Sequence, residues 1–190
     1  LVQESIADTV IRRLKTYAEQ LVVGNGLNED TDMGPIISES QLENIHNYVE
    51  IGRKAGQIVT GGYRMQGGEY DRGYFYAPTI ITDLPADCAV VKEEIFGPVL
   101  SVLTFSTEDE ALTMANDSEF GLSASVWTND LYRAIRLSKR VQAGTVWINT
   151  WNKNFPEAEF GGYKQSGLGR TRGIDGLNEY CETKHIHIEG

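Results

Sequence analysis

The chain has 190 residues, of which 41% are hydrophobic and 23% are charged, as in an ordinary globular α/β protein with one packed core. No apolar run is long enough to span a bilayer, which argues against a membrane protein. The 27 acidic residues outnumber the 17 basic ones and give a formal charge of −10, and lysine and arginine form no stripe, so nucleic acid binding is not expected.

The two cysteines bear on the redox state of the protein, and the first residues bear on its location. Cys88 and Cys181 lack the close spacing of a metal or redox motif, and we predict buried free thiols. The first residues, 1–5, contain no initiator Met, basic region or apolar stretch, so they do not form a secretory signal. We expect a processed chain or a piece of a longer protein, and a cytoplasmic location.

The first two predicted elements are amphipathic helices. Apolar residues recur at helical spacing over residues 2–21, and Gly24-Asn25-Gly26 ends this helix. An acidic, turn-rich loop follows. Ser38 and Gln41 form a capping-box pattern that opens the second helix, which ends near Gly56.

Short extended runs separated by glycine and proline follow between residues 57 and 91. Their β-branched and aromatic residues predict strands joined by loops. The predicted strands are Ile58-Val59, Tyr74-Phe75-Tyr76, Thr79-Ile80-Ile81 and Ala89-Val90-Val91.

The next stretch alternates strands with helices. Thr107 and Glu110 form a second capping box. The order is strand 99–105, helix from Thr107, strand 122–127, helix 130–141 and strand 145–148. Apolar strands alternating with helices predict parallel crossovers buried on both faces, and therefore an α/β fold with a largely parallel sheet.

Two features close the chain. After Asn149 a glycine-rich loop runs through residues 161–170, and a loop of this length is usually functional. The alternating segment His185-Ile186-His187-Ile188 predicts a strand with no evident partner, which suggests pairing with another sheet or subunit.

A motif of two carboxylates and an aromatic residue, Lys92-Glu93-Glu94-Ile95-Phe96-Gly97-Pro98, lies between two apolar runs. One interpretation is a solvated acidic turn with a core phenylalanine. The other is a sugar clamp, in which a carboxylate accepts hydrogen bonds from two ribose hydroxyls while the aromatic ring packs beside it.

The chain resembles the aldehyde dehydrogenase superfamily over essentially its whole length, and in particular the betaine aldehyde dehydrogenases. The resemblance rests on Glu93-Glu94-Ile95-Phe96-Gly97-Pro98-Val99, on Gly144-Thr145-Val146-Trp147-Ile148-Asn149, on Gly161-Gly162-Tyr163-Lys164-Gln165-Ser166-Gly167 and on Tyr180-Cys181-Glu182-Thr183-Lys184. It implies the three-layer αβα catalytic domain of that family. Residues 1–182 would be part of this domain, and residues 183–190 a C-terminal oligomerisation strand.

The resemblance also assigns roles to individual residues. Glu94 would bind the nicotinamide ribose and Phe96 would contact the nicotinamide of NAD or NADP. Trp151, Phe155 and Phe160 would line the aldehyde tunnel, with ordinary core aromatic residues as the alternative interpretation.

A monovalent cation, K⁺, is a further expectation from the betaine aldehyde dehydrogenases. The positions are Lys164 and Gly167, acting through backbone carbonyls because a lysine ammonium cannot bind a cation. The alternative interpretation is a tight glycine-rich turn.

The parent protein is therefore expected to oxidise a small aldehyde to a carboxylic acid, as a homodimer or homotetramer. Betaine-aldehyde-like and semialdehyde-like substrates both remain open, and Lys153 would favour an anionic substrate if it is not merely solvated. By resemblance the nucleophilic cysteine, the general-base glutamate and the dinucleotide-binding domain precede Leu1, so the 190 residues alone are expected to be inactive. A catalytically silent assembly module and an unrelated sugar- or nucleotide-binding domain are the alternatives.

Overall fold

Six α-helices and nine short β-strands form the fold, and the computed structural model describes every residue from Leu1 to Gly190. The helices are α1 (Ala7–Gln20), α2 (Glu39–Ala55), α3 (Ala89–Lys92), α4 (Glu108–Asn116), α5 (Leu131–Arg140) and α6 (Gly173–Asn178). The strands are β1 (Val2–Gln3), β2 (Gln57–Thr60), β3 (Thr79–Thr82), β4 (Val99–Ser101), β5 (Thr104–Phe105), β6 (Phe120–Gly121), β7 (Ser123–Val126), β8 (Thr145–Ile148) and β9 (Tyr163–Lys164).

The strand pairings confirm the predicted α/β class. Three of the five pairings are parallel, namely β1 with β5, β3 with β4, and β7 with β8. The pairs β2 with β3 and β6 with β9 are antiparallel. Parallel pairing dominates, as the alternation of strands and helices predicts.

The chain folds as two compact units, Leu1–Ala111 (unit 1) and Leu112–Gly190 (unit 2). The predicted oligomerisation strand, residues 183–190, has no regular structure in this single chain and is exposed. Its pairing with a partner subunit stays a prediction. None of the helices combines the length and apolar composition that crossing a membrane requires.

The core of unit 1 is built on α2. Ser38 caps this helix through its hydroxyl and Gly56 ends it, both as predicted. Apolar residues three and four positions apart on α2 face β3 and the turn before β4. The buried cluster consists of Leu42, Ile45, Val49, Tyr76, Ile81, Leu84, Val90 and Ile95.

The apolar run 99–105 forms two strands instead of the single predicted one. β4 pairs with β3, whereas β5 pairs with β1. The break lies where the chain changes partner: Val102 N–H donates to the Ile81 carbonyl, and Val2 N–H donates to the Leu103 carbonyl, each at 2.9 Å.

Two predicted strands are wrong. Ala89-Val90-Val91 forms the helical turn α3, in which the N–H groups of residues 91–93 donate back to the carbonyls of Cys88 and Ala89. Tyr74-Phe75-Tyr76 is irregular, with one isolated bridge between Tyr76 and Arg64. Short apolar runs do not distinguish a strand from a buried helical turn.

Unit 2 contains the predicted crossover β7–α5–β8. Asp130 caps α5 by accepting from Arg133 N–H at 3.0 Å. The short helix α6 lies within the stretch that the sequence predicts as loop. It contains Gly173 and Gly176, which are poor helix formers, but a Cβ at Gly176 would lie 2.8 Å from the Thr171 carbonyl carbon, so close packing requires glycine there.

Candidate functional site

The turn between α3 and β4, residues 93–98, has one buried side chain, with exposed residues on both sides of it. Ile95 is buried in the core of unit 1, at 8% exposure. Glu94 is exposed, and Phe96 is 76% exposed although it is a large aromatic residue. An exposed aromatic ring next to an exposed carboxylate, both on an anchored backbone, can receive a ligand with hydroxyls and a flat ring.

The two adjacent carboxylates of this turn have different roles. The Tyr48 hydroxyl donates to the Glu93 carboxylate, and this hydrogen bond, with smaller effects of burial and charge, raises the pKa of Tyr48. Glu94 makes no side-chain hydrogen bond or ion pair. Glu93 is therefore a structural residue, and Glu94 is the carboxylate that remains available to a ligand.

Phe96 has a backbone conformation that non-glycine residues rarely adopt. Its φ is 52°, in the left-handed region, which costs on the order of 1–2 kcal/mol. The Gln41 side-chain amide donates to the carbonyls of Ile95 and Phe96, at 2.9 and 3.1 Å. A Cβ at Gly97 would lie 2.5 Å from the Ile45 side chain, so the turn packs closely on α2.

Gln41 was not among the site residues that the sequence predicts. Its pattern indicates only a helix cap, because Ser38 and Gln41 have capping-box spacing. The carbonyls that it contacts lie 54 and 55 positions away in the chain. No local signal could have identified this pairing.

The three predicted substrate residues lie in unit 2 and have different surroundings. Trp151 and Phe155 are each 60% exposed, and the Trp151 ring packs edge-on against Trp147 with centroids 5.0 Å apart. Phe160 is half-buried, and the Arg172 guanidinium lies 5.3 Å from its ring centroid. Trp151 and Phe155 are thus open to a ligand, whereas Phe160 already has a cation over its ring.

The loop after β8 is shaped by two residues that the sequence analysis did not single out as functional. The buried Trp147 donates its indole N–H to the Lys153 carbonyl at 2.8 Å. Asn149, at φ 52°, accepts from Thr128 N–H and donates to the Thr128 carbonyl, both at 2.9 Å. These bonds fix the path of the backbone that carries Trp151.

Of the predicted cation positions, Lys164 is the last residue of β9 and Gly167 lies in the loop that follows it. The Lys164 ammonium donates to the carbonyls of Asn116 and Ser118, at 2.7 and 2.9 Å, and so binds the C-terminal end of α4. Gly167 has a φ of 146°, a region that favours glycine. No group of three or more His, Cys, Asp or Glu side chains could hold a metal ion.

The two cysteines differ from the prediction of buried thiols. Cys88 is half-buried against the core of unit 1, but Cys181 is exposed, so that part of the prediction is wrong. The Cys181 thiol contacts the Leu177 carbonyl at 3.6 Å in the turn that follows α6. Neither thiol makes a hydrogen bond to a basic side chain of the kind that activates a nucleophilic cysteine.

A surface depression in unit 2 contains none of the predicted cofactor or substrate residues. Its lining consists of Gly169, Arg170, Asp175, Asn178, Glu179 and Cys181. This depression is therefore not the candidate site that the sequence predicts.

Comparisons with family models and with individual relatives point to the same family. The model of the aldehyde dehydrogenase family matches residues 1–186. The betaine aldehyde dehydrogenase of Bacillus subtilis (strain 168) is 43% identical over 188 residues, which cover 98% of this chain and 38% of that protein. The mitochondrial aldehyde dehydrogenase of Leishmania tarentolae is 44% identical over 188 residues, covering 98% of this chain and 37% of that protein.

The solved structures that resemble this chain point to the same family. A betaine aldehyde dehydrogenase from Staphylococcus aureus in complex with NAD⁺ has a TM-score of 0.94 and 41% identity, and the match covers 97% of this chain and 37% of that chain. The chain spans about 38% of the length of the curated relatives that it matches.

Proposed function

The chain belongs to the aldehyde dehydrogenase family, and on that premise we propose that it supplies the nicotinamide side of the active site of an NAD-dependent aldehyde dehydrogenase. The observation that carries this proposal is the turn 93–98, where the unpaired Glu94 lies two residues from the exposed Phe96. NAD⁺ is bound in the related Staphylococcus aureus enzyme.

The chemistry of the turn fits a nicotinamide riboside. The free Glu94 carboxylate can accept hydrogen bonds from both hydroxyls of a ribose, because a carboxylate offers two oxygens as acceptors. The Phe96 ring offers an apolar face for a flat heterocycle. A bound nicotinamide would supply the acceptor for the hydride that leaves the carbon of the thiolate-bound aldehyde, and Glu94 and Phe96 would hold the nicotinamide riboside at a fixed position.

The thiol chemistry of the reaction is not assigned to this chain. In the proposed reaction a cysteine thiolate attacks the aldehyde, and water later releases the carboxylic acid. Cys88 and Cys181 lack the surroundings that this role requires. We therefore expect the 190 residues by themselves to show no dehydrogenase activity.

The substrate that we propose is betaine aldehyde or a similar small cationic aldehyde. Three relatives are named betaine aldehyde dehydrogenases, and the exposed Trp151 and Phe155 provide aromatic faces on which a trimethylammonium group can bind. The exposed Lys153 between them favours the second candidate, a semialdehyde with a carboxylate.

Three further parts of the proposal concern the complete enzyme. NAD is the proposed cofactor, with NADP as the alternative. A K⁺ ion would bind to the backbone carbonyls of Lys164 and Gly167, the only acceptor atoms of these residues. The enzyme would be a cytoplasmic homodimer or homotetramer in which residues 183–190 pair with a neighbouring subunit.

The test is an assay of the full polypeptide that contains these residues. We expect NADH formation with betaine aldehyde, slower formation with a carboxylated semialdehyde, and NAD preferred to NADP. Preference for the semialdehyde would select the second substrate class. A folded polypeptide that neither binds NAD nor oxidises any aldehyde would instead be a catalytically silent module.

A further inference from the structure

Unit 2 contains two arginine side chains that lie over aromatic rings, and their surroundings differ. The Arg170 guanidinium lies 5.6 Å from the Tyr163 ring centroid and also donates to two backbone carbonyls of the glycine-rich loop, at 3.1 and 2.7 Å. The Arg172 guanidinium lies 5.3 Å from the Phe160 ring centroid and makes no side-chain hydrogen bond or ion pair. Arg170 therefore ties backbone segments together, whereas Arg172 contacts the Phe160 ring with a charge that no carboxylate neutralises.

The backbone on both sides of Arg172 is bonded to the loop that carries Phe160. Phe160 and Thr171 exchange two backbone hydrogen bonds of 2.8 Å, and the Thr171 hydroxyl donates to the Phe160 carbonyl at 3.2 Å. The Gly173 N–H donates to the Pro156 carbonyl at 3.0 Å. Because both neighbours of Arg172 are fixed in this way, the position of its side chain beside the Phe160 ring is set by the fold.

Arg172 also has an unusual backbone conformation. Its φ is 62°, in the left-handed region that favours glycine and asparagine, so a long side chain there is sterically costly. Residues in such conformations concentrate at functional sites. The side chain is exposed, so its charge can act on a ligand that binds beside the Phe160 ring.

We propose that Arg172 is a specificity-determining residue that disfavours cationic aldehydes at the Phe160 wall and favours carboxylated ones. This inference rests on the proposed function, in which Phe160 lines the aldehyde site. An aromatic ring attracts a cation to its face, and the Arg172 guanidinium already occupies that place on Phe160. A trimethylammonium group would meet a like charge there, whereas a carboxylate would meet an opposite one. Arg172 thus reduces the preference for a cationic substrate that the exposed Trp151 and Phe155 create.

The test compares Arg172→Met with the unsubstituted full polypeptide on three aldehydes. Methionine is unbranched, as arginine is, so it keeps bulk beside Phe160 and removes the charge. The probes are betaine aldehyde, its uncharged isostere 3,3-dimethylbutanal, and succinic semialdehyde, which carries a carboxylate. We expect kcat/KM for betaine aldehyde, divided by that for the isostere, to rise about fivefold in Arg172→Met. The corresponding ratio for succinic semialdehyde should fall about fivefold.

Three controls separate the charge from other effects of the substitution. Both ratios are measured within one variant, so they do not depend on how much of that variant is folded. Arg172→Lys keeps the positive charge and should retain both ratios within about twofold. Lys54→Met removes a charge from an exposed position of α2 and should leave both ratios unchanged. In the unsubstituted enzyme, NaCl at about 0.5 M should move both ratios towards those of Arg172→Met, because salt screens an exposed charge.

The outcomes distinguish this inference from the proposed function. If the unsubstituted enzyme oxidises aldehydes and Arg172→Met leaves both ratios as they were, Arg172 does not set specificity and the proposed function stands. If the two ratios move in the same direction, or if Arg172→Lys behaves as Arg172→Met does, the charge is not the cause and the inference is overturned. If the folded, unsubstituted polypeptide oxidises none of the three aldehydes, the proposed function fails and the inference fails with it.

Discussion

The turn 93–98 in unit 1 and the loop 149–155 in unit 2 share a local backbone feature but are held in place by different contacts. Each presents an exposed aromatic residue beside left-handed backbone: Phe96 is itself left-handed, and Trp151 lies between Asn149 and Asn152, at φ 52° and 53°. The turn is anchored by an apolar side chain in a core. The loop is held by hydrogen bonds to backbone atoms.

The cores beneath them differ as well. Unit 1 has a continuous cluster of eight buried side chains that includes Ile95. The buried hydrophobic residues of unit 2 are fewer, and two of the four are alanines, namely Leu112, Ala134, Ala143 and Trp147. Trp147 is the only aromatic residue among them.

This difference indicates how well each region tolerates substitution. A side chain anchored in a core cannot change without a cavity or a clash, so the turn 93–98 is tied to the rest of unit 1. A loop held through backbone carbonyls keeps its path when its exposed side chains change. We therefore expect aldehyde specificity to be easier to alter by substitution than cofactor binding.

The largest expected effect comes from the apolar anchor of the turn. Ile95→Ala removes buried methyl groups and leaves a cavity, which should lower the free energy of unfolding by about 2–5 kcal/mol. The matched control in unit 2 is Phe155→Ala, whose side chain is 60% exposed and whose loss should cost less than about 1 kcal/mol. Urea denaturation measures both. Equal losses would contradict the contrast between the two regions.

A buried tyrosine makes the stability of unit 1 depend on alkaline pH. Burial raises the pKa of Tyr76 to about 12, against an ordinary value of about 10. The pKa of Tyr76 is higher in the folded state than in the unfolded state. Its contribution to the free energy of unfolding is therefore fully present below pH 10, and about 2–3 kcal/mol is lost as the pH rises towards 12.

Urea denaturation between pH 9 and pH 12 checks this expectation. The range follows from the ordinary tyrosine pKa of about 10 and the Tyr76 pKa of about 12. Tyr76→Phe should reduce the loss of stability at alkaline pH. Tyr132→Phe, at an 82% exposed position of unit 2, should leave it unchanged. A loss of the same size in Tyr76→Phe would assign the alkaline transition to other groups.

A smaller effect is expected at the support of the unit 2 loop. Trp147→Phe removes the indole N–H that binds the Lys153 carbonyl, at a cost of about 1 kcal/mol from the hydrogen bond, with a further loss from the smaller ring. The loop should then open more often, and trypsin should cleave after Lys153 faster. Trp151→Phe keeps the indole donor of Trp147 and serves as the control. Identical cleavage rates in both variants would show that the hydrogen bond does not hold the loop.

The sequence predicts most helices correctly, because their ends carry chemical signals. Ser38, Thr107 and Asp130 each cap a helix through a side-chain oxygen, and all three starts agree with the structure. Ala89-Val90-Val91 has no such signal, and its apolar run fits a strand as well as the helical turn that it forms.

The site was predicted unevenly for a related reason. Glu94 and Phe96 occur in one contiguous motif, so resemblance is enough to single them out. The distinction between Glu93 and Glu94 depends on Tyr48, 45 positions before Glu93, and the support of Phe96 depends on Gln41, 55 positions before it. Contacts at such separations are set by packing, and one sequence does not reveal them.

The central claim is that Glu94, and not its neighbour, binds the nicotinamide ribose. The most direct test is isothermal titration of NAD into the full polypeptide and into two matched variants, Glu93→Gln and Glu94→Gln, which remove the same charge one residue apart. We predict that Glu94→Gln raises the Kd for NAD about tenfold or more, since a ribose would lose its charged acceptor, whereas Glu93→Gln changes it by less than about twofold. Equal effects of the two variants, or a larger effect of Glu93→Gln, would contradict the claim.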